Sequence, residues 1–172
     1  FASGIVQAQT LRWASQGDPQ TMDPHSQNEQ LTNAMNGQVY EFLIARDRKL
    51  ELVPQLATEW KQTSPLQWRM KLRPNVKFQD GTPFTADDVV FSINRAKLPT
   101  SQIAVYANAV GEVKKVDDLT VEFNLSQVNP IFLQHINTLS IMSKAWSEKH
   151  NVTKPLDFPV PEPPTTSTSR LA

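Results

Sequence analysis

Cysteine is absent from the 172-residue chain, which excludes disulfides, thiolate metal sites and cysteine nucleophiles. Glycine is scarce, with 5 residues against 13 prolines. Neither of two glycine-rich phosphate-binding patterns, GxGxxG and the GxxxxGK loop, occurs. An apolar run of 18 residues is also missing, so the sequence predicts no transmembrane helix.

The chain has no excess charge of either sign, because 17 basic residues balance 17 acidic ones. A dedicated nucleic-acid binder is normally clearly basic, so we expect no nucleic-acid partner. The composition is 39% hydrophobic, and a chain of this length buries roughly two-thirds of its unfolded surface, which is enough for one core.

The two ends differ from the middle of the chain. Residues 1–8 are uncharged and place Val6 and Ala8 at the spacing of a signal-peptidase site, which suggests a residual signal-peptide segment. A frayed first strand is the alternative. Residues 155–172 hold 5 of the 13 prolines and then a Ser/Thr run. They predict an extended tail, either a linker or a peptide unrelated to the fold.

Alternating residues predict the strands. Residues 67–73 alternate strictly, so Trp68, Met70 and Leu72 should face the core, with Arg69, Lys71 and Arg73 on the other face. That basic face is either a solvated surface or an anion-binding patch, and the zero net charge favours the first. Residues 10–15 predict another strand, and residues 110–125 predict a hairpin, so antiparallel pairing is expected.

The clearest helix is predicted at residues 86–97, with Thr85 as N-cap and Asp88 three residues later. Apolar spacing predicts two more helices, one over residues 29–43 and one that begins at Asn129 with Pro130 in its first turn. Residues 139–146 suggest a last strand followed by a short helix.

Catalytic and metal-binding patterns are weak. Helix capping explains Asp87 and Asp88, and turn chemistry explains the acidic pair at residues 117–118. Asp23 and His25 could supply two metal ligands, but two ligands in one loop are a weak signal. The tryptophans are better explained as core residues than as a stacking platform; they are Trp13, Trp60, Trp68 and Trp146. We therefore expect no enzyme activity, metal or cofactor.

Four segments, in order, carry a resemblance to a known family. They are GDPQTMDP at residues 17–24, LATEW at 56–60, WRMKLRPNVKFQDGTPFTADDVVFS at 68–92 and VKKVDDLTVEFNL at 113–125. This series resembles the extracellular solute-binding proteins of family 5, which serve ABC transporters for peptides and nickel.

The resemblance implies an α/β fold of the type II periplasmic-binding-protein kind. It implies that residues 10–44 begin the first lobe and that residues 45–158 form the mixed α/β subdomain inserted in that lobe. Family members continue with a PxGTGPY segment and a second lobe. Here residues 159–172 are Pro/Ser/Thr-rich instead, and we interpret them as a non-family tail of a truncated member.

The resemblance also implies a function. Such proteins close two lobes on a peptide or similar small solute in the bacterial periplasm and deliver it to a membrane permease. Backbone of the loop formed by Gly17, Asp18, Pro19, Gln20 and Thr21 is expected to contribute to the cleft. Tyr106 is expected to face the ligand, with simple packing as the alternative for this side chain.

A chain holding one partial lobe would lose many ligand contacts, so impaired solute binding is expected. Unpaired strand edges and an uncovered apolar face in residues 10–43 predict a homodimer through that segment. The alternative function is a secreted, self-associating interaction module without a role in transport.

Overall fold

The computed structural model describes residues 17–155. The predicted signal-peptide segment, the strand at residues 10–15, Trp13 and the proline-rich tail from residue 159 lie outside the described residues. Helices and strands alternate irregularly along the described part: α1 Gln30–Asn36, β1 Ile44–Arg46, β2 Leu52–Pro54, β3 Ala57–Ser64, β4 Gln67–Leu72, α2 Ala86–Ala96, α3 Ala104–Ala109, β5 Glu112–Asp117, β6 Thr120–Asn124, α4 Phe132–Ile136 and α5 Lys144–Lys149.

A four-stranded antiparallel sheet, in the order β3-β4-β6-β5, forms the largest sheet of the described residues. Its strand β4 confirms the predicted alternation, since Met70 and Leu72 are buried and Arg69 is exposed. Trp68 was predicted to be buried but is only half-buried. Its ring lies at the edge of the core and stacks on Phe132, with ring centroids 5.0 Å apart.

Helix α2 packs its apolar side on this sheet, with Val89 and Ile93 fully buried. The predicted capping pair is confirmed. Asp88 Oδ2 accepts hydrogen bonds from the Thr85 backbone N–H at 2.9 Å and from the Thr85 hydroxyl at 3.2 Å. These bonds satisfy a donor that the start of a helix otherwise leaves unpaired.

The prediction of one helix over residues 29–43 was wrong in its second half. Helix α1 ends at Asn36, with Gly37 as its C-cap. Beyond the cap, Phe42 forms a β-bridge with Ser140, and the chain enters β1, which pairs with β2. The apolar residues after Gly37 therefore reach the core as extended chain, a choice that long-range pairing decides.

Two predictions near the end of the described chain also need correction. Helix α4 begins at Phe132 rather than at Asn129, because the Asn129 side chain accepts the Ile131 N–H at 3.1 Å and forms a turn that leaves Pro130 outside the helix. The last strand predicted in residues 139–146 is reduced to the single bridge at Ser140 before α5. The β1–β2 hairpin, β3 and α3 were not predicted.

Candidate functional site

The loop at residues 17–21 lies against the N-terminal half of α1. The Gln20 N–H donates to Thr32 Oγ1 at 3.1 Å, and that hydroxyl donates to Glu29 Oε2 at 2.8 Å. The N–H groups of Leu31 and Thr32 donate to the same carboxylate, which caps the helix. The bonds from Thr32, first its N–H and then its hydroxyl, hold the pKa of Glu29 below its ordinary value. Loop and helix thus share one hydrogen-bond network.

Tyr106, on α3, lines a different concavity of about 230 Å³, which we name the amide pocket. Its polar lining is Asn28, Asn33, Asn36, Asn137, Tyr106, Thr138 and Ser140. The Tyr106 ring is half-buried, packs against the core and lies 5.9 Å from the His135 ring. Tyr106 therefore packs and lines a pocket at the same time.

The structure does not bring the two sets of predicted site residues together. Gly17, Asp18 and Gln20 line a groove with Leu31 and Ala34 of α1. The amide pocket is lined instead by two other side chains of α1, both asparagines. Helix α1 thus separates the loop from the pocket that holds Tyr106, and it contributes side chains to both.

A buried ion pair fixes the chain immediately after that loop. Asp23 and Arg95 both have 0% exposed side chains, and the carboxylate receives two parallel bonds of 2.8 Å from Nη1 and Nη2. Arg95 also donates from Nε to the Val152 carbonyl at 3.1 Å and from Nη2 to the Lys154 carbonyl at 2.7 Å. Bidentate geometry and added backbone partners are what a buried guanidinium requires.

His25 completes this buried cluster. Its Nε2 donates to the Ser140 carbonyl at 3.1 Å, so Nδ1 is left to accept from Arg95 Nη1 at 3.1 Å. Burial, and next the positive charge of Arg95, lower the pKa of His25 to about 4. The imidazole is therefore neutral at physiological pH, and each of its two nitrogens has a partner.

Helix α2 connects to the later chain through a line of polar side chains at i, i+4 and i+7. Asp88 Oδ1 accepts from the Lys144 N–H at 2.9 Å, and Ser92 Oγ accepts from the Met142 N–H at 2.9 Å. Arg95 is the third member of the line. All three are buried, and each pairs with backbone of residues 142–154.

Sequence reasoning missed Arg95. The prediction followed the apolar stripe and the cap of α2 and assigned no role to this residue. The signal was present in the spacing, because Asp88, Ser92 and Arg95 recur on one helix face beside Val89 and Ile93. Periodicity alone does not show that a polar line is buried, since that depends on what packs against it.

Asp23, His25 and Asp87, which were weighed as metal or acid candidates, all have partners in the structure. Among residues 17–155, no group of three or more His, Cys, Asp or Glu side chains could hold a metal ion. Asp23 and His25, the weak pair of candidate ligands, are engaged with Arg95 instead. Asp87 forms an exposed ion pair with Lys115 at 2.6 Å. In the same part of the chain, no helix is long and apolar enough to cross a membrane.

Comparison with known proteins gives a family match over most of the chain. The family model described as "Bacterial extracellular solute-binding proteins, family 5 Middle" matches residues 51–166. The match overlaps residues 159–166 of the predicted non-family tail, whose assignment stays a prediction. A glutathione-binding protein, GsiB of Pectobacterium atrosepticum, is 29% identical over 119 residues, which are 67% of this chain and 23% of that protein.

Solved structures give the same answer for the fold. The murein tripeptide binding protein MppA of Escherichia coli is similar with a TM-score of 0.70 and 27% identity, over 76% of this chain and 30% of that chain. The oligopeptide-binding protein AppA of Bacillus subtilis, solved with a nonapeptide, gives 0.69 and 26%, over 78% and 27%.

The chain thus spans less than a third of the length of these relatives. The predicted fold class is confirmed, because the matched structures are type II periplasmic binding proteins. The relatives are solute-binding proteins rather than enzymes. Since the family model covers more than half of the sequence, the chain belongs to the bacterial extracellular solute-binding proteins of family 5.

Proposed function

We propose that this chain forms part of the first lobe of a solute-binding protein that serves a peptide-type ABC importer in the bacterial periplasm. In this role it contributes one side of the cleft that holds a peptide or similar small solute, which a membrane permease then receives. The names of the relatives, which bind glutathione, a murein tripeptide and oligopeptides, support this solute class.

The observation that carries the proposal is the position of Tyr106. Its aromatic ring lines a pocket together with polar side chains of α1 and of the chain near Ser140. Phe42 and Ile103 add apolar wall, and polar groups that converge on a concave site fix the orientation of a small ligand. The loop at residues 17–21, beside the other face of α1, supplies a second surface that we assign to the same cleft.

By itself, the 172-residue chain is proposed to bind solute weakly. Closure of two surfaces on a ligand provides most of the affinity of a cleft, and this chain provides the groups of one surface only. A tenfold loss of affinity corresponds to about 1.4 kcal/mol, so the loss of half the contacts moves a micromolar solute beyond calorimetric detection.

NMR titration of the ¹⁵N-labelled chain with glutathione and trialanine tests this function. We expect no heat signal in calorimetry but saturable shifts at Gln20 and Tyr106 at millimolar peptide. Tyr106→Ala should abolish the shifts at α3, whereas Val105→Ala, at a neighbouring side chain that is 66% exposed, should not. If neither the loop nor Tyr106 responds to either peptide at high millimolar concentration, the solute-binding role is wrong.

Self-association is a second candidate, supported by one surface. An apolar groove of about 460 Å³ contains Val39, Leu56, Phe78 and Phe84 in its lining, and Val39 is 54% exposed. A second copy that docks through residues 10–43 would cover Val39. Sedimentation velocity should then show a dimer that Val39→Asp dissociates. A monomer at all concentrations would remove this candidate.

A further inference from the structure

Asn36 is, beside Trp68, one of two described residues with a buried side-chain polar atom that lacks a hydrogen-bond partner. It ends helix α1, only 4% of it is exposed, and its side-chain Oδ1 is shielded from solvent without a hydrogen-bond partner. Buried polar atoms in folded proteins are nearly always paired, so an unpaired one needs an explanation. The residue also lines the amide pocket.

The backbone at Asn36 is hydrogen-bonded, whereas its side-chain oxygen is not. The Asn36 carbonyl accepts from the Val39 N–H at 2.9 Å and from the Tyr40 N–H at 2.8 Å. These bonds fix the position of the amide at the end of α1. Rotation about χ2 exchanges its oxygen and nitrogen, so the same group can offer a donor or an acceptor to whatever enters the pocket.

The pocket has no ionisable side chain other than the phenol of Tyr106. Its lining contains no Asp, Glu, Lys, Arg or His. A charged group placed there would lose hydration without a counter-charge, which costs free energy. An uncharged group that both donates and accepts hydrogen bonds fits better, and a carboxamide or a peptide unit has this chemistry.

The size of the pocket restricts the ligand further. Its volume of about 230 Å³ is below the roughly 300–1,000 Å³ of pockets that enclose drug-sized ligands. Phe42 and Ile103 supply apolar wall beside the amides. The space therefore suits one residue of a peptide, not a whole oligopeptide.

We propose that Asn36 determines specificity by hydrogen-bonding an uncharged carboxamide or internal peptide unit of the solute in the amide pocket. This rests on the proposed solute-binding function and narrows it to a subsite that reads the neutral middle of a peptide rather than its charged ends. On binding, the amide turns about χ2, so that the solute's donor pairs with the oxygen that is shielded in the free protein.

The test uses the full chain and small probes of known charge. N-acetylglycinamide carries the uncharged peptide unit, whereas sodium acetate and methylammonium chloride carry each charge alone. We expect saturable NMR shifts at the Asn36 side-chain amide and at Ile103 with N-acetylglycinamide. Asn36→Leu, which keeps the branched shape but not the amide, should weaken this binding about tenfold, equivalent to about 1.4 kcal/mol.

A matched control separates position from residue type. Asn108→Leu changes an exposed asparagine near the end of α3, and it should leave the titration unchanged. The melting temperature gives an independent readout. Asn36→Leu should not lower it, because the replaced amide has an unpaired oxygen, whereas a purely structural asparagine would lower it and leave binding intact.

The isosteric variant Asn36→Asp keeps the test decisive if the Leu variant does not fold. It should weaken N-acetylglycinamide and favour methylammonium, because the pocket then holds a negative charge. Equal affinity of the wild type for acetate and N-acetylglycinamide would overturn the proposal. If glutathione shifts Gln20 while the amide pocket stays silent, the subsite is wrong and the solute-binding function stands. If neither region responds to peptide, the function itself fails.

Discussion

The Arg95 cluster and the amide pocket both contain buried polar side chains, but they differ in how completely these side chains are hydrogen-bonded. In the cluster, each of the five guanidinium N–H groups of Arg95 has a partner, and both ring nitrogens of His25 are paired. In the pocket, Asn36 Oδ1 has no hydrogen-bond partner. A hydrogen-bond network in which every group is paired indicates a structural role. A network with an unpaired group beside a cavity indicates a ligand site.

The two regions also differ in charge. The Arg95 cluster buries a carboxylate, an imidazole and a guanidinium together, so its stability depends on pH and on each partner. The amide pocket has no Asp, Glu, Lys, Arg or His in its lining. We therefore expect mutations in the Arg95 cluster, and acid, to lower the free energy of unfolding. Mutations in the amide pocket should change ligand recognition without loss of stability.

Arg95→Met should give the largest effect. It would leave the Asp23 carboxylate buried without a counter-charge, and the loss of one partner from a buried pair costs about 3–5 kcal/mol. Urea unfolding followed by tryptophan fluorescence measures this loss. Arg69→Met is the matched control, because Arg69 pairs with Glu122 at a half-exposed site. If Arg69→Met lowered the free energy of unfolding as much as Arg95→Met, burial of the ion pair would not explain the effect.

Acidification should reveal the second effect. Burial lowers the pKa of His25 from 6.5 to about 4, so between these values the unfolded chain binds a proton that the folded chain rejects. The free energy of unfolding should therefore fall as pH falls through this window, by at most about 1.4 kcal/mol per pH unit from one group. Below pH 4 this contribution should be exhausted.

His25→Gln tests that assignment. The variant keeps a side-chain donor for the Ser140 carbonyl but does not titrate, so the slope of unfolding free energy between pH 6.5 and 4 should decrease. His135→Gln should remove a smaller part, because His135 is only partly buried and its pKa is lowered by desolvation alone. A slope that stays unchanged in His25→Gln would assign the acid sensitivity to other groups.

Thr85→Ala should give the smallest of these effects. Thr85 lies at the edge of the network, where Asp88 binds both its N–H and the Lys144 N–H. Loss of an N-cap side chain costs about 1 kcal/mol. Thr100→Ala, at an exposed threonine, should change the unfolding free energy much less. A loss from Thr85→Ala as large as that from Arg95→Met would show that the cap, not the ion pair, anchors α2.

Features that depend on neighbouring residues in the sequence were predicted correctly. The alternation of residues 67–73 and the cap of α2 were predicted, because pleat and capping depend on residues that are near in sequence. The helix predicted to residue 43 ended at Asn36 because Phe42 pairs with Ser140, about a hundred residues away. The periodicity of a short segment cannot predict a pairing with a distant residue.

The same division holds for the candidate site. Sequence resemblance selected Tyr106 and the loop at residues 17–21, but α1 separates them in the structure. Asn36 was not selected, since an asparagine near a helix end is ordinary in sequence. Only the packing of α1 against the chain near Ser140 makes it a buried amide with an unpaired oxygen.

By itself, the sequence determined the family, the antiparallel centre and the capped helix, because motifs and short periodicities record them directly. The tertiary structure decided which polar residues are buried and which of those have partners. Arg95 and Asn36 differ in this respect because desolvation and hydrogen bonding depend on neighbours from distant parts of the chain, which no local pattern of residues specifies.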